Sequence, residues 1–243
     1  MSLGFTAKQF IEKLEAYCSP AELKKYHRFF KFDYGEDKPD EDFVFIGVRM
    51  GQVFALAKEC IEMPLDEIEK LLESPIQKVR VGAVSVMDFQ ARSKKTPDVR
   101  KKELFELYLR RHDRINSWDL VDRSAPYVVG GYLFDKRRDS LYKLARSKNI
   151  WERRTAIVST GYFIRQRDVA DTFKIAEMLV ADKQDLIHKA TGWMLRAAGD
   201  VDRPTLLGFL NKHAATLPRT LLRYAIEHLD KEKREHYLGM KKE

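Results

Sequence analysis

Cysteine is almost absent from this sequence. Cys18 and Cys60 stand far apart and neither sits at a metal-ligand spacing. Two isolated thiols build no disulfide framework and no thiolate metal site, and they fit a reducing compartment. Long apolar runs are missing too, so no segment reads as a membrane span. The opening Met-Ser-Leu-Gly is too short and polar for a secretory leader, and the expected location is the cytoplasm. There is no GxGxxG, no Walker sequence and no HExxH pairing. His27, His112, His188, His213, His228 and His236 form no Cys/His cluster and read as surface or packing residues. Ser140-Leu141-Tyr142-Lys143 fits SxxK, but so short a match in a basic helix carries little information. No metal or cofactor is expected.

What is present is charge. Charged residues make up 34% of the 243, and the formal net charge is +8. It is unevenly placed. Residues 1–80 hold 12 Lys and Arg against 15 Asp and Glu, whereas residues 81–243 hold 33 against 22. A basic C-terminal two-thirds points to a polyanionic partner, most simply nucleic acid, although a solvated Lys/Arg surface gives the same count. No recognition helix, zinc finger or RNA-binding signature accompanies it, so the basic residues read as phosphate contacts without sequence specificity.

Apolar residues recur at helical spacing from end to end, and convincing period-2 alternation is missing, so the chain is expected to be all-α. Helices are expected over 5–17, from Ser19-Pro20 through Phe30, over 43–61, 65–72, from Ser74-Pro75 and from Thr96-Pro97. They continue over 117–129 (closed by Gly130-Gly131), 140–146, 150–165, 169–180, 186–198 (closed by Gly199), 205–210 and 218–229. Residues 33–42 read as an acidic loop. Ile76, Ile115, Ile150 and Leu186 each open a helix with a shared apolar pattern, at offsets of 39, 35 and 36 residues, and a further start lies near Leu221. A helix-pair repeat of this length predicts a single domain over 1–243, a HEAT-like α-α solenoid whose stacked pairs form a superhelix with a concave basic groove. A plain helical bundle is the simpler alternative.

The stretch Ser117-Trp118-Asp119-Leu120-Val121-Asp122 stands out. Trp118 and Asp122 are four residues apart, which puts an indole and a carboxylate on one helix face. Ser117 is placed to cap the helix, and Asp119 sits in its first turn, where the dipole favours an anion. Counted from the repeat starts, Trp118, Asp122, Arg154 and Trp193 fall at offsets of three, seven, four and seven, all on one face. Around them lie Arg153, Arg165, Arg196, Arg219 and Arg223, the candidate DNA-binding residues. Two core tryptophans and an ordinary Asp–Arg pair would also explain the positions one at a time.

These residues carry a resemblance. The chain resembles the AlkD-type bacterial DNA alkylation repair enzymes, a family of HEAT-like-repeat DNA glycosylases. Trp118-Asp119-Leu120-Val121-Asp122 is similar to the family's Trp-Asp-x-x-Asp motif, Trp151 to Ile157 to the block carrying its active-site Arg, and Gly192 to Arg196 to the block carrying its second Trp. Gly47-Val48-Arg49 with Leu56 to Glu59, and Leu71 to Ser74 with Val79-Arg80, resemble earlier blocks. The sequence departs from them at Gly51, near which the family usually has Pro, and at Lys78, where it often has Glu. The resemblance implies an alkylpurine DNA glycosylase acting on alkylated duplex DNA, and a monofunctional monomer with no membrane association and no obligate protein partner is expected. It implies excision of cationic bases such as 3-methyladenine and 7-methylguanine, with Asp122, Trp118, Trp193 and Arg154 as the catalytic set. The family also holds members that keep the fold without activity, so a non-catalytic DNA-binding scaffold is the alternative. A protein-interaction solenoid would instead present an apolar or acidic concave face.

Overall fold

The computed structural model describes residues 5–25 and 44–240. The expected helical positions Tyr26, Phe29 and Phe30 and the acidic stretch 33–42 lie outside them. Among the described residues the chain is an all-α helical-repeat fold, with one isolated parallel bridge between Val44 and Ile76. After α1 (Ala7–Glu15) and a helical turn at 20–25 come α2 (Met50–Glu59), α3 (Leu65–Leu72), α4 (Gln77–Arg92), α5 (Asp98–Arg110) and α6 (Trp118–Ser124). A π-helical segment, Ala125–Gly131, follows directly. Then come α7 (Asp139–Ala145), α8 (Ile150–Arg165), α9 (Ala170–Leu179), α10 (Asp185–Val201), α11 (Arg203–His213), α12 (Arg219–Ala225) and α13 (Lys231–Gly239).

The chain divides into two compact units, Met1–Val128 and Val129–Glu243. In the first, α4 is the central element. It is buried on almost every side, through apolar residues such as Val79, Val84 and Met87 and also through Lys78, Arg80 and Asp88. Helices α2, α3 and α6 pack on it. In the second unit α8, α10 and α12 pack in succession, with α9 and α11 intervening in sequence, which is the alternation expected of a helix-pair repeat.

Four of the departures from the expected helix boundaries bear on how the elements pack. Residues 44–48 are not helical. Val44 accepts from the Gln77 amide and donates to Pro75 O, both at 3.0 Å, and so satisfies an orphan donor at the start of α4. Gly199 does not end α10, which runs on to Val201. A Cβ there would lie 2.2 Å from Leu206 Cδ2, so the glycine serves the close approach of α11. The helix expected over 117–129 changes from α to π winding at Ala125. That expected over 218–229 stops at Ala225, and a separate helix, α13, begins where Asp230 Oδ1 accepts the Lys233 amide at 2.9 Å.

Candidate active site

Helix α6 has only seven residues, and its side chains explain its position better than its propensity does. Ser117 stands at the N-cap in extended conformation, φ −150° and ψ 156°, but its hydroxyl makes no capping bond. It donates instead to Asp119 Oδ1 at 2.5 Å. The Asp119 carboxylate also accepts the Leu120 amide at 3.1 Å and the Gln77 side-chain amide of α4. The first-turn acid expected to profit from the helix dipole is therefore also the point where α6 is fastened to α4. One turn along α4, the buried Arg80 donates to Asn116 Oδ1 at 2.9 Å and to Arg114 O at 3.4 Å, fixing the approach to Ser117.

On this helix Trp118 and Asp122 share a face, and both are half-buried. The indole N–H of Trp118 is sealed from solvent with no acceptor among the described residues, so the exposed part of the side chain is ring. A ring offered without its N–H suits packing against an apolar or cationic surface more than hydrogen bonding. Lys78, the departure noted above, is buried with Nζ 2.8 Å from Met50 Sδ. Burial pulls its pKa down to about 8, against the opposing pull of the Asp119 carboxylate.

The second unit holds the other two members of the expected set. Trp193 is half-buried in the middle of α10. Its neighbour Gly192 lets α12 come close: a Cβ there would stand 2.5 Å from Tyr224 Cβ and 2.6 Å from Leu221 O. Arg154 departs from the expectation of an open face. It is only 5% exposed, and its guanidinium donates to Leu186 O at 2.5 Å, in the first turn of α10. Its visible role is to join α8 to the helix that carries Trp193.

The expected DNA-binding arginines separate into two groups. Arg153 is held by Asp182, at 2.6 Å through Nε, and by the carbonyls of Ser147 and Lys148. Arg196 pairs with Glu227, just past the end of α12. Arg165, Arg219 and Arg223 are exposed, Arg219 with one donor on Leu238 O at 2.9 Å. Sequence spacing could not separate the arginines paired with an acid from the exposed ones, because Asp182 and Glu227 lie 29 and 31 residues from their partners. The same limit hid Gln77, Arg80, Asp88 and Arg123, which hold α6 in place. Among the described residues no group of three His, Cys, Asp or Glu side chains is arranged to hold a metal ion, and no helix is long and apolar enough to cross a membrane.

Against known proteins, the profile of one family, described as DNA alkylation repair enzyme, matches residues 10–229. No curated protein sequence matches. A solved structure described as a predicted DNA alkylation repair enzyme from Enterococcus faecalis superimposes with a TM-score of 0.67 at 18% identity, covering 88% of this chain and 97% of that one. At that identity the likeness establishes the fold.

Proposed function

This chain belongs to the DNA alkylation repair enzyme family, and from that premise we propose that it is a DNA glycosylase for cationic alkylated purines, 3-methyladenine and 7-methylguanine, in duplex DNA. The observation that carries the reading is the half-exposed Trp118–Asp122 pair, one turn apart on a helix fastened from below. A ring and a carboxylate side by side fit a reaction that develops positive charge on a sugar.

The chemistry follows from the substrate. Alkylation at N3 or N7 gives the purine a positive charge and makes it a good leaving group. As the N-glycosidic bond breaks, its electron pair goes to the base nitrogen and the base leaves neutral. Oxocarbenium character builds on the deoxyribose, and water then adds at C1′. Asp122 is assigned to stabilise that charge and to take up the proton of the attacking water. Trp118 is assigned to pack its ring against the lesion nucleotide, where the quadrupole favours a cation, and Trp193 of the second unit to pack its ring against the DNA. The resemblance places Arg154 in the catalytic set. Its burial favours a supporting part, keeping α10 and Trp193 in place. Phosphate binding then falls first to the exposed arginines, Arg165, Arg219 and Arg223, and to Arg153 and Arg196 only where a phosphate displaces Asp182 or Glu227 from them. The reading includes hydrolysis without a lyase step, action as a monomer, no cofactor and a cytoplasmic site of action.

The test is chromatographic identification of free bases after incubation with methylated duplex DNA. The account expects 7-methylguanine and 3-methyladenine to be released. Tight DNA binding with no base released would overturn it in favour of the non-catalytic DNA-binding scaffold.

A further inference from the structure

Helix α6 is poorly equipped to hold itself. Seven residues lie well below the length at which a helix is stable alone. The side chain of its N-cap makes no capping bond to a backbone amide, and its C-terminus passes straight into wider π winding. Leu120 and Val121 bury against the core, but apolar contacts of this kind tolerate sliding and rotation at modest cost. Polar contacts with fixed directions do not. Their arrangement after Asp122 is specific.

The next residue, Arg123, points into the unit. Its guanidinium carbon stands 4.5 Å from the centre of the Phe54 ring of α2 and 4.8 Å from that of Phe89 of α4. Its Nε donates to Ser85 Oγ at 3.2 Å, and Nη2 lies 3.0 Å from Asp88 Oδ2. Asp88 is wholly buried in α4, and its other oxygen accepts from Arg92 Nε at 2.9 Å. The guanidinium of Arg92 in turn lies 3.9 Å over the ring of Tyr127, inside the π segment. One buried carboxylate therefore ties α4 to α6 and to the turn that follows it. A cation set between two rings, ion-paired with a carboxylate and donating to a hydroxyl, has little rotational freedom. Because Arg123 adjoins Asp122 on the same helical turn, a rotation of that turn that would shift the Asp122 backbone must pull Arg123 from this seat. Arg123 is itself too enclosed to serve as a surface phosphate contact, with a side chain 18% exposed.

We propose that Asp88 and Arg123 are positioning residues for the base-release reaction, fixing where the Asp122 carboxylate and the Trp118 ring stand against the lesion sugar. The assignment rests on the glycosylase reading and extends it to residues that touch no DNA. An error of about 1 Å in a catalytic group is enough to cost on the order of 100-fold in rate.

The experiment uses the full chain as wild type, Arg123→Met, Arg123→Lys and Asp88→Asn, well below each protein's melting temperature. Two quantities are read. One is the single-turnover rate of 7-methylguanine release from a duplex at saturating enzyme. The other is the Kd for a duplex carrying a tetrahydrofuran abasic analogue. Arg123→Met leaves Asp88 paired with Arg92, so the protein keeps a counter-ion for its buried acid. The expected result is a release rate lowered about 10- to 100-fold with Kd changed by less than roughly twofold, and a partial recovery in Arg123→Lys, which keeps the cation. Asp88→Asn, equal in shape, is expected to show the same split and replaces Arg123→Met should that variant fail to fold. A wild-type release rate per folded molecule in both Arg123→Met and Asp88→Asn would overturn the proposal and leave the cluster a stabilising one. Equal losses of rate and affinity would also overturn it. Wild type that releases no base overturns the glycosylase reading itself, and this assignment with it.

Discussion

The two units hold their tryptophans by opposite means. In the first, Trp118 opens a seven-residue helix that is fastened to α4 by the hydrogen bonds of Gln77 to Asp119 and Arg80 to Asn116 and by the Asp88–Arg123 ion pair. In the second, Trp193 lies within a 17-residue helix whose position is set largely by close approach, with Gly192 admitting the backbone of α12 and Gly161 lying 3.4 Å from Met194 Sδ at its would-be Cβ. A long helix keeps its own register and needs only a surface that fits. A short one borrows its register from directed bonds. The difference predicts that the first unit is sensitive to charge and the second to volume.

The largest effect on stability is expected where volume counts. Gly192→Val puts methyl groups where a Cβ alone would already meet Leu221 O at 2.6 Å, and it should cost about 3 kcal/mol. Thermal melting checks it. A loss below about 1 kcal/mol would break the claim that α10 and α12 are set by close approach.

Charge is the lever in the first unit. Lys78 titrates near 8 in the folded chain against 10.5 for an ordinary lysine. Below pH 8 folded and unfolded chains both carry the proton, and burying the charge costs its full penalty. Between about 8 and 10.5 the folded chain loses the proton first, and the penalty fades as pH rises. Lys78→Met should therefore be more stable than wild type near pH 7, by on the order of 3 kcal/mol, with the gap closing towards pH 10. Denaturant titrations across that range test it, and a gap independent of pH would contradict it.

The smallest effect on stability belongs to the surface, where neither rule applies. Arg223 is exposed on α12. Arg223→Ala should leave stability within about 0.5 kcal/mol, while the slope of log affinity for duplex DNA against log salt falls by about 1. An unchanged slope would remove Arg223 from the phosphate-binding group.

Periodicity made much of this fold legible. The bounds of α3 and α8 are those the apolar pattern marks, and the i, i+4 spacing placed Trp118 and Asp122 on one face. Helix α4 shows where such reading stops. Periodicity assumes that one face is polar because it is wet, yet Lys78, Arg80 and Asp88 are polar and buried, each answering to a partner tens of residues away. Gly199 was misleading for a related reason. Glycine marks helix ends by its backbone freedom, but it also marks close contacts, and only the position of Leu206 decides between the two. Arg153 and Arg154 look alike in sequence. The fold gives the first to Asp182 and the second to Leu186 O.

The central claim is that the Asp122 carboxylate carries the chemistry. Its most direct test is the single-turnover release of 7-methylguanine by wild type and Asp122→Asn, with DNA affinity measured in parallel. The substitution removes the charge and almost no volume. The account predicts a loss of about 100-fold or more in release with affinity nearly unchanged. Release at the wild-type rate, or a loss of rate matched by an equal loss of affinity, would contradict it.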